Sequence, residues 1–235
     1  MPFRISARHW GPMLAALLAC LCTGLWAQSA GLLYDPEPPA DSAYVRVLLA
    51  SRDAAVDILV DGQLRIRKLG AGEASDYMVL SAGKHSIAIH ASGKSAALLT
   101  APLDVVRGRA MTVAFAALRA DVAPTVFEDK ANSNKLKALL TVYHLDAKAG
   151  TLDVLTADGN TKVFLGLSYG VSTSILVNPI SIELMAVRSG DKTALARTSL
   201  AMAQGGTYSV LLLPGDGGKL TARAVQNKIE RYTGK

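Results

Sequence analysis

Hydrophobic and polar residues alternate in short runs along the chain, and each run ends at turn-forming residues. In the first half, Tyr44-Val45-Arg46-Val47-Leu48 alternates, and the run that begins at Ala55 closes on Asp61-Gly62. A period of two predicts β-strands, and Asp-Gly between two such runs predicts a hairpin. The predicted strands of this half cover residues 44–48, 55–60, 64–67, 75–80, 85–91 and 110–117.

The second half follows the same plan. Its predicted strands cover residues 139–145, 151–157, 161–167, 171–177, 180–187, 193–200 and 207–213, with a last strand within 222–235. Almost no stretch has the period of a helix. Short strands at this spacing are typical of an antiparallel sandwich or an open barrel. We therefore predict an all-β protein.

The two halves resemble each other. Three landmarks recur at offsets of 95 to 97 residues: the Asp-Gly turns at Asp61 and Asp158, the strands at Ile87 and Ile182, and the glycines Gly108 and Gly205. This period is a whole small domain and is longer than the 20 to 50 residues of solenoid repeats. We predict two tandem antiparallel β-sandwich domains that arose by duplication. Turn chemistry shared by any two all-β domains is the alternative explanation.

Proline and polar stretches divide the chain. Residues 30–42 contain three prolines, which fix φ and lack an N–H, so we predict an extended lead-in. The first predicted domain is 43–120. Residues 121–135 are polar and contain a proline, which indicates a linker. The second predicted domain, 136–235, ends in a basic tail.

Residues 1–29 have the pattern of a secretory signal peptide. Arg4 and Arg8 form a basic start, residues 13–26 are apolar, and Ala27-Gln28-Ser29 is a small-residue cleavage site. This pattern predicts export to the periplasm. Leu17-Leu18-Ala19-Cys20 also resembles a lipobox, which would leave a lipoprotein anchored through Cys20. The residues after Cys20 stay apolar, and this disfavours the lipoprotein alternative.

Composition narrows the classes of function. Both cysteines, Cys20 and Cys22, lie in the predicted signal, so the mature chain has no disulfide or cysteine-bound metal. Removal of Arg4 and Arg8 lowers the net charge from +6 to +4. The chain has no dense basic run with interleaved aromatics, which argues against nucleic acid and leaves weak attraction to an anionic polysaccharide open.

Catalytic patterns are weak. Residues 166–170 (Gly-Leu-Ser-Tyr-Gly) fit G-x-S-x-G, but this string joins the predicted strands 161–167 and 171–177 and lacks the helix that follows a nucleophile elbow. The sequence has no G-D-S serine with a D-x-x-H pair. Residues 215–218 (Gly-Asp-Gly-Gly) carry glycine where a nucleophile would stand, so we expect a hairpin turn. Four aspartates occupy matching positions in the two halves, which predicts turn roles: Asp57, Asp61, Asp153 and Asp158. We predict no catalytic residue, cofactor or metal site.

The histidines also argue against a metal site. His85 and His90 are five residues apart, so a period of two places them on opposite faces of a strand. His144 belongs to the other predicted domain. We expect all three to be surface or turn residues. His144 is a candidate binding residue because it follows the first strand of its domain, where the chain enters a loop.

Several strings resemble a known family. Leu33-Tyr34-Asp35-Pro36 with Pro39, followed by Tyr44-Val45-Arg46-Val47, resembles the start of mature AlgF proteins of alginate biosynthesis. The string at 156–159 and Asn178-Pro179 are similar to that family as well. Leu49 and His144 stand where the family is expected to have Asn. Residues 53–62 and 80–85 resemble the DUF4397 type of exported β-sandwich, whose role is unassigned.

The AlgF resemblance implies a non-catalytic periplasmic adaptor for O-acetylation of an exopolysaccharide, most readily alginate. Its implied partners are periplasmic esterase-fold acetyltransferases and a membrane-bound O-acyltransferase. We predict partner binding through Tyr34, Pro36, Tyr44, Arg46 and His144. Two alternatives stay open: an exported carbohydrate-binding module that presents the polymer, and an acetyltransferase that acts on its own.

Overall fold

The computed structural model describes residues 40–229, and within this range the chain is all-β as predicted. The predicted signal peptide, most of the lead-in with Tyr34 and Pro36, and the end of the basic tail lie outside the described residues. Within residues 40–229, no helix has the length and apolar character needed to cross a membrane.

The first sandwich consists of two sheets. Outer sheet 1 has the order β3-β2-β6-β7, and inner sheet 1 has the order β4-β1-β8-β9, with β5 also pairing with β1. Strand β1 runs parallel to β8, although most neighbours are antiparallel. The strands are β1 Ser42–Leu49, β2 Val56–Val60, β3 Gln63–Leu69, β4 Glu73–Ala74, β5 Met78–Ser81, β6 Gly83–Ala91, β7 Ala97–Val105, β8 Ala110–Phe115 and β9 Thr125–Asp129.

The second sandwich repeats this topology. Inner sheet 2 has the order β13-β10-β16-β17, and outer sheet 2 has the order β12-β11-β14-β15. Here β10 runs parallel to β16, as β1 does to β8. The matching strand orders support duplication. The strands are β10 Ala138–His144, β11 Leu152–Thr156, β12 Lys162–Leu167, β13 Ser172–Val177, β14 Ser181–Arg188, β15 Ala194–Ala201, β16 Thr207–Pro214 and β17 Leu220–Gln226.

Three apolar layers hold the four sheets in a stack. The first core lies between outer and inner sheet 1 and includes Val47, Ile58 and Ile89. The second core lies between inner and outer sheet 2 and includes Val142 and Val154. A third layer joins the two inner sheets; its members are Leu48, Ala50, Ala114, Phe127, Tyr143, Leu145, Leu211 and Leu213. The order is therefore outer sheet 1, inner sheet 1, inner sheet 2, outer sheet 2.

The predicted linker requires correction. Residues 121–135 contain β9, which pairs with β8 as the edge strand of inner sheet 1. Phe127 of β9 is buried, and its contribution to the interface explains why this polar segment is ordered as a strand. Strand β7 was not predicted either. It carries Pro102, which an edge strand tolerates because one side of its backbone has no sheet partner.

Candidate functional site

Arg46 is buried between the two inner sheets. Its neighbours Val45 and Val47 point into the first core, so the alternation of β1 sends Arg46 to the opposite face. That face is covered by inner sheet 2, and Arg46 is 1% exposed. A buried guanidinium costs free energy unless its donors and its charge are matched, so its partners define the centre of the interface.

Arg46 spans the two sandwiches with its hydrogen bonds. Nε donates to Thr112 Oγ1 of the first sandwich at 2.8 Å. Nη1 donates to Asn227 Oδ1 at 2.7 Å, and Nη2 donates to Tyr143 Oη at 2.9 Å and to Ser209 Oγ at 3.0 Å. Three of its four partners therefore belong to the second sandwich.

Asp129 supplies the compensating negative charge. Its carboxylate accepts hydrogen bonds from Thr112 Oγ1 at 2.5 Å, Tyr143 Oη at 2.5 Å and Tyr77 Oη at 2.8 Å. The Arg46 guanidinium also lies over the rings of Tyr77 and Tyr143, at 4.7 and 5.4 Å from their centroids. We call these residues, together with Ser209 and Asn227, the Arg46 network.

The network keeps Arg46 charged and its tyrosines neutral. Burial opposes the charge on Arg46, but the surrounding Tyr77, Tyr143 and Asp129 raise the pKa of its guanidinium. Desolvation raises the pKa of Tyr143 to about 12, despite the nearby Arg46. Burial likewise raises the pKa of Tyr77 well above 10.0. Both phenols therefore act as hydrogen-bond donors at neutral pH.

The predicted partner-binding residues do not form one surface. Arg46 and His144 are buried, so neither side chain is accessible to another protein in this structure, and their predicted surface role is corrected. Tyr44 is half-buried on β1. Partner binding by Tyr34, Pro36 and Tyr44 stays a prediction.

His144 anchors a loop. It is fully buried, so the expectation of a surface histidine was wrong. Its Nε2 lies 2.7 Å from the carbonyl of Gly150, and its Nδ1 lies 3.4 Å from the backbone N of Asp146. A neutral ring with its proton on Nε2 satisfies both contacts. The histidine thus ties the β10–β11 loop to its strand.

The predicted turn roles of Asp57 and Asp153 are confirmed. Asp57 Oδ1 accepts the backbone N–H of Lys68 at 2.8 Å, and Asp153 Oδ1 accepts that of Gly166 at 2.8 Å. Each carboxylate also binds the turn that follows the neighbouring strand in the sheet, through Ser92 after β6 and Ser189 after β14. These contacts lower the pKa of both aspartates, although desolvation opposes the shift, most strongly at Asp153.

Ser81, His85 and Asp61 come together in an order that resembles a serine hydrolase. His85 Nδ1 lies 2.6 Å from Asp61 Oδ2, and His85 Nε2 lies 3.4 Å from Ser81 Oγ. However, Nε2 is closer to the carbonyl oxygen of Ser81, at 2.8 Å. Both ring nitrogens therefore face acceptors, which favours the imidazolium. An imidazolium has no lone pair with which to activate a serine.

Sequence reasoning missed this cluster because Asp61 lies in the β2–β3 turn, whereas Ser81 and His85 flank the β5–β6 connection. The side chains border a cleft of about 180 Å³ that Gln63 and Arg65 also line. Within residues 40–229, no group of three or more His, Cys, Asp or Glu side chains is arranged to hold a metal ion.

Outer sheet 2 carries a buried apolar cluster on the face that is turned away from the second core. Leu155, Met185 and Val187 pack together there, separate from the second core. Leu165 on β12 is 58% exposed, and its neighbour Phe164 points into the core. Outer sheet 1 has exposed leucines as well, at Leu64 and Leu98.

The fold and interface define a tandem β-sandwich protein whose two copies pack face to face. Residues 43–155 match the family described as "Domain of unknown function (DUF4397)", as the first-half resemblance predicted. The match extends beyond the first sandwich into β10 and β11. No curated protein matches the chain.

Solved structures include two similar proteins. The C-terminal domain of AlgF from P. aeruginosa is 28% identical, covers 40% of this chain and 100% of its own, and has a TM-score of 0.33. The CBM26 module CBMbc of Amy13K from Eubacterium rectale, solved with maltoheptaose, is 13% identical, covers 80% of this chain and 97% of its own, and has a TM-score of 0.27. At these TM-scores neither structure supports an argument about function.

Proposed function

We propose that the protein is a non-catalytic periplasmic adaptor for O-acetylation of an exopolysaccharide, with alginate as the leading candidate. It would hold a membrane-bound O-acyltransferase and periplasmic esterase-fold acetyltransferases together. The AlgF-like strings of the lead-in and the second half motivate the class of reaction. The stacked architecture supports the adaptor role.

The observation that carries the proposal is the position of the two outer sheets. The inner sheets cover each other through the third apolar layer and the Arg46 network. The outer sheets therefore lie at opposite ends of the stack, on a body whose halves are joined by buried contacts. Two partners that bind these faces do not compete for the same surface.

Exposed leucines make each outer sheet a candidate contact surface. Leu64 lies on edge strand β3 of outer sheet 1, and Leu165 lies on edge strand β12 of outer sheet 2. Exposed apolar side chains on a protein surface are candidates for contact with a partner.

Affinity capture tests the adaptor role. The tagged mature chain is recovered from periplasm and from solubilised inner membrane, and purified acetylated and unacetylated polymannuronate are tested for binding alongside. Recovery of an esterase-fold acetyltransferase or the membrane acyltransferase is expected. Tight polymer binding without either protein would instead indicate the carbohydrate-binding alternative.

Variants of the two outer sheets test which sheet binds each partner. Leu64→Asp should reduce capture of one partner, and Leu165→Asp should reduce capture of the other, because each adds charge to one outer sheet only. Each variant is the control for the other, and circular dichroism checks that both fold. If both variants capture the full set of partners at wild-type levels, the outer-sheet assignment is wrong.

Catalysis by the chain alone is tested separately. The purified protein is incubated with an activated acetyl ester and polymannuronate, and free and transferred acetate are measured. We expect no turnover above background, because His85 is held as an imidazolium beside Ser81. Turnover that Ser81→Ala abolishes would contradict the non-catalytic proposal.

A further inference from the structure

The two inner sheets meet through equivalent faces. Thr112 and Ser209 are 97 residues apart and occupy the same position in β8 and β16. Their parallel neighbours are Arg46 and Thr141, which are therefore equivalent to each other. The same registers relate Leu48 to Tyr143, because these residues pair with Ala114 and Leu211.

Most of the apolar contacts obey this equivalence. Each member of the following pairs belongs to the third apolar layer or packs against it: Leu48 and Tyr143, Ala50 and Leu145, Ala114 and Leu211, Phe127 and Val225. The backbone repeats it too, since Ala50 N–H donates to Phe115 and Leu145 N–H donates to Leu212. Contact between the same face of two copies is the defining property of a twofold, isologous interface.

The two hydroxyl contacts follow the same symmetry, whereas Arg46 and Tyr143 break it, because their equivalents Thr141 and Leu48 make no such contacts. Thr112 Oγ1 donates to Asp129, and Ser209 Oγ donates to Asn227, which occupies the position equivalent to Asp129. Both hydroxyls also accept a hydrogen bond from Arg46. Thr141, the equivalent of Arg46, bonds instead within its own sheet to Ser174, at 2.9 Å.

We infer that the interface is a self-recognition surface that the single Arg46 restricts to pairing between a first and a second sandwich. A pair of first sandwiches would bring two guanidiniums into the space that one fills. It would also replace Tyr143 with Leu48 and so remove one acceptor from each arginine. A pair of second sandwiches would contain no cation between its Ser209 and Asn227 side chains.

A cleavable full-length chain tests this inference. A protease site is inserted between Lys130 and Ala131, which are exposed, and the folded protein is cut there. We expect the fragments to elute together at the mass of the intact chain. After dissociation in urea and dialysis, native mass spectrometry should find first–second pairs in at least about 100-fold excess over pairs of like fragments. Fragments that stay apart, or like pairs of similar abundance, would overturn the inference.

Two matched variants measure the contribution of Arg46 to this pairing selectivity. Arg46→Leu should reduce the first–second excess about 100-fold, because it removes the group that distinguishes the two faces. Thr141→Val, at the equivalent position, should leave the excess unchanged. If Arg46→Leu does not fold, Tyr143→Phe replaces it and should reduce the excess about tenfold. Unchanged selectivity in the arginine variant, or in Tyr143→Phe where that variant is used, would contradict the inference.

Discussion

Two residues at equivalent positions of the two sandwiches have the same backbone conformation but different side chains. Lys68 has φ of 51° and Gly166 has φ of 64°, and the N–H of each is bound by the aspartate of the preceding strand. A side chain in this left-handed region costs about 1 kcal/mol relative to glycine. The first copy therefore carries strain that the second copy avoids.

Exchanging the two residue types should shift stability in opposite directions. Lys68→Gly should raise the free energy of unfolding by up to about 1 kcal/mol, and Gly166→Ala should lower it by about 1 kcal/mol. Urea denaturation followed by circular dichroism measures both. Arg67→Gly is the control and should destabilise, because Arg67 is not in the left-handed region. Equal effects of Lys68→Gly and Arg67→Gly would refute the assignment of strain.

His85 should titrate above its ordinary pKa of 6.5. Desolvation works against the shift, but the hydrogen bonds to Asp61 and to the Ser81 carbonyl raise the pKa. The contact stabilises the fold fully below pH 6.5, and this contribution is lost as the pH rises through the folded-state pKa. NMR titration of the ring protons measures the value.

An Asp61→Asn variant provides the comparison for His85. Removal of the carboxylate should lower the pKa of His85, and the pH dependence of stability near neutrality should weaken. A wild-type pKa at or below 6.5 would show that the imidazolium is not the favoured form. In that case the argument against Ser81 as a nucleophile would also fail.

At the scale of elements, β9 is the strand that is hardest to predict from the sequence. It lies in a mostly polar segment, and Val126 and Phe127 are the only apolar residues of the strand itself. Phe127 is 5% exposed and meets Tyr143 edge to face, with centroids 5.2 Å apart at 83°. This strand therefore belongs both to inner sheet 1 and to the contact with inner sheet 2.

Substitutions in β9 should show whether this segment stabilises the fold as a strand or only connects the two sandwiches. Phe127→Ala should lower the free energy of unfolding by about 3 kcal/mol or more, because it leaves a cavity in the third apolar layer. Val126→Ala is the neighbouring control; Val126 is 46% exposed, so its loss should be about 1 kcal/mol or less. Similar small losses at both positions would indicate that β9 contributes little to the fold.

Strands were predictable wherever one face was buried and the other polar. The alternation of β2 and the repeated aspartates of β2 and β11 follow directly from the sequence. Proline in β7 and the polar surroundings of β9 concealed those strands, because only their partners make them stable. Arg46 was predicted to bind a partner protein, because alternation places it on the face away from the first core without showing that inner sheet 2 covers that face.

At the scale of the whole molecule, the burial of the inner sheets on both faces gives a sequence pattern that differs from alternation. Residues 138–145 are buried at every position, and so are residues 45–50. A strand buried on both faces reads as a continuous apolar run. Such runs in β10 and β16 indicate a sheet covered on both sides, whereas Arg46 interrupts the run in β1. Which two sheets meet depends on long-range packing and was not predictable.

The two sandwiches should unfold as one unit. The Arg46 network and the third apolar layer connect them, so the wild-type chain should show a single transition in circular dichroism and in NMR probes from both halves. Arg46→Met should cost about 3–5 kcal/mol and separate the transitions, because it leaves Asp129 without its buried countercharge.

Milder and control variants complete this test. Tyr143→Phe should cost about 1–3 kcal/mol, because it removes the hydroxyl that both Arg46 and Asp129 contact. Thr141→Val should preserve the single transition, since its hydrogen bond to Ser174 stays within inner sheet 2. Separate transitions in the wild-type chain would mean that the sandwiches are energetically independent.

The parallel pairing of first and late strands has a consequence for biogenesis. Strand β1 pairs with β8, and β10 pairs with β16. Each of these pairs can form only after about 70 residues have followed the first strand of the pair. A ribosome delivers the N-terminal half first. Until the C-terminal half arrives, the completed first half presents the apolar face around Leu48 and Phe127 to water. The chain is thus most vulnerable to aggregation while its first half has folded and its second half has not, when a chaperone that shields this face would be of most use.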